Sequence, residues 1–136
     1  MGIDEQALAR AAELIAHDLA ATLGWEVGQA RTEARAVLDH RAGFVPTGPA
    51  WDDLGHATRQ EILDDVVLGA VEDLQQRLHD TFVDTSWPSC VRHPHHPMWL
   101  GAGQGGGIVW CCPRDHAEIA PLGMLPGTAH PPGRHL

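Results

Sequence analysis

Lysine, asparagine and tyrosine are missing from this 136-residue chain, and all nine basic side chains are arginine. The codons of the missing residues are rich in A and T, so the pattern points to a GC-rich genome, bacterial or phage, and not to a function. No apolar run approaches the roughly eighteen residues of a membrane-spanning helix. The first residues, Met1 to Glu5, carry acids where a secretory leader carries a basic end. Gln6 occupies the position that a myristoylation signal reserves for Ser or Thr. These absences lead to the expectation of a cytoplasmic protein with no membrane role. Cysteine is scarce, with three residues and no C-x-x-C pair, which disfavours redox chemistry. A vicinal bond between Cys111 and Cys112 would be strained. Free thiols in a reducing compartment suit a metal better than a disulfide.

The charge that is present is uneven. The formal net charge is −9. Residues 1–85 hold six arginines against sixteen acids, whereas residues 86–136 hold three arginines and two acids. An acidic first half repels phosphate backbones, so general nucleic-acid binding is disfavoured. A protein partner is the expectation instead. At 43% apolar residues the chain has the material for a core.

The first 85 residues read as helical. Asp4 can cap a helix in which Leu8, Ala11, Leu14, Ile15, Leu19 and Leu23 recur at three- and four-residue spacing until Gly24. Thr22 weakens its last turn. Glu13 and His17, four residues apart, are expected to share a surface contact. A second helix is expected over 27–41. It carries Arg31, Arg35 and Arg41 interspersed with Glu33 and Asp39, which suits helical-hairpin packing better than groove recognition. Gly43 to Ala50 reads as a loop, with Trp51 as a packing anchor. Thr58 and Glu61 have the spacing of a capping box. The helix it would open carries an apolar stripe from Ile62 through Val66, Val71, Leu74 and Leu78 to Phe82, ending near Val83.

Chemistry concentrates further on. Cys90-Val91-Arg92-His93 is a C-x2-H pair, and after eighteen intervening residues Cys112-Pro113-Arg114-Asp115-His116 opens a second turn. Zn²⁺ prefers four N or S ligands in a tetrahedron, drawn in close pairs from two tight turns. Between the turns lie the apolar runs Met98 to Leu100 and Ile108 to Trp110, joined by a glycine-rich segment, which is a hairpin signal. The expected ligands are Cys90, His93, Cys112 and His116. Asp115, His95 and His96 compete for the fourth place. Alternation along the second strand turns Cys111 and Cys112 to opposite faces. Cys112 is the expected ligand because Pro113 fixes a tight turn after it, and Cys111 reads as a small buried hydrophobe. Gly101 to Gly106 matches G-x-G-x-x-G, but the dinucleotide motif needs a following helix and here Ile108-Val109-Trp110-Cys111 follows.

The segment from Trp87 to about Leu125 resembles zinc-ribbon or zinc-knuckle domains, with Cys90, His93 and Cys112 at ligand positions. It departs from the usual four-cysteine pattern at two positions. The resemblance implies a structural zinc and contacts with protein or nucleic acid, and no particular reaction. Residues 119–125 can add a short strand or a packing arm. The whole chain therefore reads as α+β: a three-helix bundle-like region over 1–85, a small zinc-ribbon β-hairpin over 86–125 and a disordered tail over 126–136. Three alternatives stand beside a protein-interaction or assembly module with a structural Zn²⁺. One is a zinc hydrolase using Cys90, His93 and Cys112 with an open position. Another is a nucleic-acid-binding ribbon, and redox chemistry at Cys111-Cys112 is the third.

Overall fold

The computed structural model describes residues 2–127. It is an α+β fold whose order is α1 (Glu5–Leu23), α2 (Val27–Ala42), α3 (Pro49–Asp52), α4 (His56–Asp80), β1 (Trp99–Ala102), β2 (Ile108–Cys111) and β3 (Glu118–Pro121). The expected disordered tail lies, from residue 128 on, outside the described residues. No helix among the described residues is long and apolar enough to cross a membrane.

Helix α1 begins where the Asp4 carboxylate accepts the Gln6 N–H and ends at Gly24, whose φ of 72° lets the chain turn left-handed. Its inward face packs on α2, whose buried residues are Ala30, Ala34, Val37 and Leu38. Arg35 joins the two helices at the surface through Glu5 (2.7 Å) and holds Asp39 on its own helix (2.7 Å). Its guanidinium keeps the Glu5 carboxyl below the usual carboxylate range.

Two expectations about α4 need correction. The loop before it contains a helical turn, α3, with proline at its start and Trp51 buried beneath Arg59. Arg59 donates to the carbonyls of Trp51 (3.3 Å) and Asp52 (2.8 Å), so the chain is already helical at His56. Thr58 consequently sits inside the first turn, Gly55 is the cap residue, and the capping box does not form. At the other end the helix stops at Asp80. Val83 N–H reaches the Leu78 carbonyl (3.0 Å) and Phe82 N–H the His79 carbonyl (3.1 Å), which is a Schellman closure. Phe82 occupies its left-handed position (φ 58°) and is 84% exposed, so it leaves the apolar stripe.

The C-terminal part forms a three-stranded antiparallel sheet in the order β1-β2-β3. Trp99 pairs with Cys111 and Gly101 with Val109 across the first hairpin, and Trp110 pairs with Ala120 across the second. The glycine-rich segment closes the first hairpin with a Gly103 N–H to Gly107 carbonyl bond of 2.9 Å, and a strand follows it. Strand β1 carries Trp99 over Gly101, where any Cβ would lie 2.5 Å from the indole ring, so glycine is required there. The residues from 119 supply both a strand and a packing arm: Leu122 and Leu125 are buried beyond β3.

Helices and sheet share one hydrophobic core. Leu8, Ile15, Leu19, Leu38, Val71 and Leu74 are continuous with Trp87, Met98, Trp110, Leu122 and Leu125. The rings of Trp87 and Trp110 meet edge to face at 5.5 Å. The polar fixings between the two parts come from helices on both sides. On α4, the Gln75 amide donates to the carbonyls of Trp87 (3.1 Å) and Met98 (2.7 Å). On α1, Asp18 is fully buried and accepts from Trp110 Nε1 (2.7 Å), Gly123 N–H (2.7 Å) and Leu125 N–H (3.0 Å). One turn on, Thr22 donates to the Asp18 carbonyl (2.6 Å) and accepts from Trp87 Nε1 (2.7 Å). Both core indoles are thus held by α1.

Candidate metal centre

The first cysteine turn is closed by its backbone. Cys90 N–H donates to the His96 carbonyl (2.9 Å) and His96 N–H to the His93 carbonyl (3.1 Å). A bridge between Ser89 and Pro97 and a bond from Met98 N–H to the Pro88 carbonyl (2.7 Å) lead the chain into β1. The second turn repeats this device. Cys112 N–H donates to the Ala117 carbonyl (2.8 Å) and His116 N–H to the Cys112 carbonyl (3.1 Å). Inside it the Asp115 carboxylate accepts the Ala117 N–H at 3.0 Å.

These turns bring His93, Cys112 and Asp115 together. One ligand atom from each, an imidazole nitrogen, a thiol sulfur and a carboxylate oxygen, lies within 4.8 Å of the other two. Around a tetrahedral Zn²⁺ such atoms stand about 3.3–3.8 Å apart, so a modest inward movement would seat an ion. Cys112 is buried at the base, His93 is half-buried and Asp115 is exposed. This group could hold a metal ion. Asp115 is held from outside by Arg92, 2.6 Å from its Oδ2. The Ala117 amide first, then the Cys112 thiol and Arg92, keep its carboxyl below the usual range, ready to bind a cation as the anion.

The remaining expected ligands lie otherwise. Cys90 is buried at 1% exposure in the shared core and is not among the three converging ligands. His116, with φ 64°, lays its ring edge-on against Trp99 at 5.5 Å. His95 and His96 are exposed. Cys111 is buried with its thiol toward the Val109 carbonyl (3.8 Å), and burial pushes that thiol's pKa up. A register shift between Trp110 and Cys111 accompanies this parting of the neighbouring cysteines.

Sequence reasoning missed Asp18, Gln75 and Arg92, and it took Thr22 only as a weak helix former. Asp18 carried a legible signal: a carboxylate three residues after Ile15, on the apolar face of α1, requires a partner. Elsewhere, Glu13 and His17 do not pair with each other. Glu13 meets Arg31 (2.5 Å), and His17 Nδ1 lies 3.1 Å from Asp18. The arginines of α2 are engaged as well, Arg41 with Asp73 at 2.7 Å and Arg35 as described. Comparison with family models, with curated proteins and with solved structures finds no match for this chain.

Proposed function

We propose that this protein is a small zinc-binding interaction or assembly module in which the metal is structural. The observation that carries this reading is the convergence of His93, Cys112 and Asp115 from the two backbone-closed turns. A site with an imidazole, a thiolate and a carboxylate suits Zn²⁺. Cys90, in the same turn as His93, lies outside the converging group and would close the tetrahedron only by moving toward it. Two thiolates and a carboxylate would leave one excess negative charge, and Arg92 on Asp115 would offset it. His116, turned to Trp99, then serves packing rather than the metal. The ribbon is too small to bury much surface by itself, so metal binding would add to the stability of its turns.

A second reading, a zinc hydrolase, is favoured by one feature: three converging ligands leave a fourth position for water. Against it, the cavities found along α1, α2 and α4 are lined by other residues than these three. The test is elemental analysis of untagged protein beside Cys112→Ser and His93→Ala. One zinc per chain, lost in both variants, supports the site. Absence of zinc from protein purified without chelator refutes it. Hydrolysis of ester or amide probes by the zinc-loaded chain would favour the second reading.

A further inference from the structure

Strand β1 is an edge strand. Trp110 pairs with Ala120 and Ile108 accepts from Leu122 N–H (3.0 Å), so their backbone groups face β3. Those of Val109 and Cys111 therefore face β1 and bond to Gly101 and Trp99. By the same alternation the N–H and C=O groups of Met98, Leu100 and Ala102 point away from the sheet. Met98 is satisfied on that side by the Pro88 carbonyl (2.7 Å) and by Gln75 (2.7 Å). Leu100 and Ala102 have no backbone partner there among the described residues.

That open edge borders a groove. Two adjoining cavities, of about 320 and 470 Å³, share Glu72, Gln75 and Trp99 and run between α4 and β1. Leu68, Val71 and Leu100 supply an apolar floor at one end, and Met98 and Trp87 at the other. The α4 stripe along the groove continues as Glu72, Asp65 and Glu61, at helical spacing and all exposed. No ion pair joins any of these three acids to a cation among the described residues.

We propose that this groove binds an extended, cationic segment of a partner protein, which adds as a strand to the β1 edge. Backbone groups of the segment would pair with Leu100 and Ala102, alternate apolar side chains would enter the pocket beside Trp99, and intervening arginines or lysines would meet Glu72, Asp65 and Glu61. The charge of the stripe selects a basic segment over an acidic one. This deepens the interaction-module reading by naming the partner's chemistry, and it does not require the metal.

The test uses the full chain and two eight-residue peptides, one alternating valine with arginine and one alternating valine with glutamate. Titration is followed by calorimetry and by backbone amide NMR shifts, with and without added zinc. The arginine peptide is expected to bind, with the Leu100 and Ala102 amides among those shifted most. The glutamate peptide is expected not to bind. A copy of the arginine peptide N-methylated at alternate residues keeps its charge but loses strand pairing, and should lose binding. Glu72→Gln and Asp65→Gln, at exposed positions, should each weaken binding about two- to fivefold. No binding of the arginine peptide overturns the proposal, as does binding unaffected by N-methylation or equal for both peptides. Peptide binding by a chain that holds no zinc would sink the metal centre and leave the groove standing. Zinc retention without peptide binding would do the reverse.

Discussion

Removing the carboxylate of Asp18 should separate the C-terminal sheet from the helices more effectively than any other single polar change. Its two oxygens receive the Trp110 indole N–H and the Gly123 and Leu125 amides at 2.7, 2.7 and 3.0 Å, in a position with no solvent exposure. Asp18→Ala leaves three donors without a protein partner, each costing about 1–3 kcal/mol. Relief from burying a carboxylate offsets part of this, and water entering the gap offsets more. The net loss is set at about 3–5 kcal/mol, the range found when one partner of a buried charged network is removed. Against a total stability of about 5–15 kcal/mol, that is a large share. Asp18→Asn preserves shape. Its amide oxygen can still accept from Trp110 and Gly123, but its NH₂ then faces the Leu125 N–H, so a loss of about 1–3 kcal/mol is expected.

The assay is urea unfolding followed by circular dichroism and tryptophan fluorescence, with Asp80→Ala, an exposed change on α4, as control. The expected order of midpoints is wild type, Asp18→Asn, Asp18→Ala. In the alanine variant the Trp110 indole N–H resonance should move and exchange faster with solvent. An Asp18→Ala midpoint within error of wild type, with the indole resonance unmoved, would refute the claim that this carboxylate holds the two parts together.

Other changes test neighbouring claims. Phe82→Gly should raise stability by about 0.5–1 kcal/mol in the same urea assay, because Phe82 is exposed in a left-handed conformation that glycine adopts freely. Gly101→Ala should cost about 1–3 kcal/mol and shift tryptophan emission, since its Cβ would force the Trp99 ring off the strand. Arg41 holds the Asp73 carboxyl below its usual range, so this pair's contribution is fully present at neutral pH and is lost as the pH falls below the ordinary aspartate range. Because both side chains are more than a third exposed, Asp73→Asn should cost no more than about 1 kcal/mol at pH 7, and the difference from wild type should vanish in acid.

The helices were legible wherever one face was apolar. Asp4 and Gly24 marked both ends of α1, and the glycine-rich hairpin announced the strands that flank it. What failed were signals that depend on neighbours distant in sequence. Thr58 has capping-box spacing, but Arg59 grips the α3 carbonyls and starts the helix earlier. Phe82 fits the stripe by period, yet the helix has already turned left-handed there. At the site, the paired spacings pointed to Cys90, His93, Cys112 and His116 with Asp115 as a competitor, and the group that converges is His93, Cys112 and Asp115. Between Asp115 and His116 spacing could not choose, because both fit one turn. The contact of the His116 ring with Trp99 is made across the hairpin and leaves no local trace. The place of Asp18 on the apolar face of α1 was legible, but its partners, 92 to 107 residues away, were not.

The measurement that bears most directly on the central claim is zinc K-edge X-ray absorption of untagged protein carrying one equivalent of zinc. The proposed site predicts a four-coordinate ion with sulfur neighbours at about 2.3 Å and nitrogen or oxygen neighbours at about 2.0–2.2 Å. The sulfur shell should shrink or vanish in Cys112→Ser. A spectrum showing only nitrogen and oxygen neighbours, unchanged by Cys112→Ser, would contradict the account and mean that the zinc sits elsewhere on the chain.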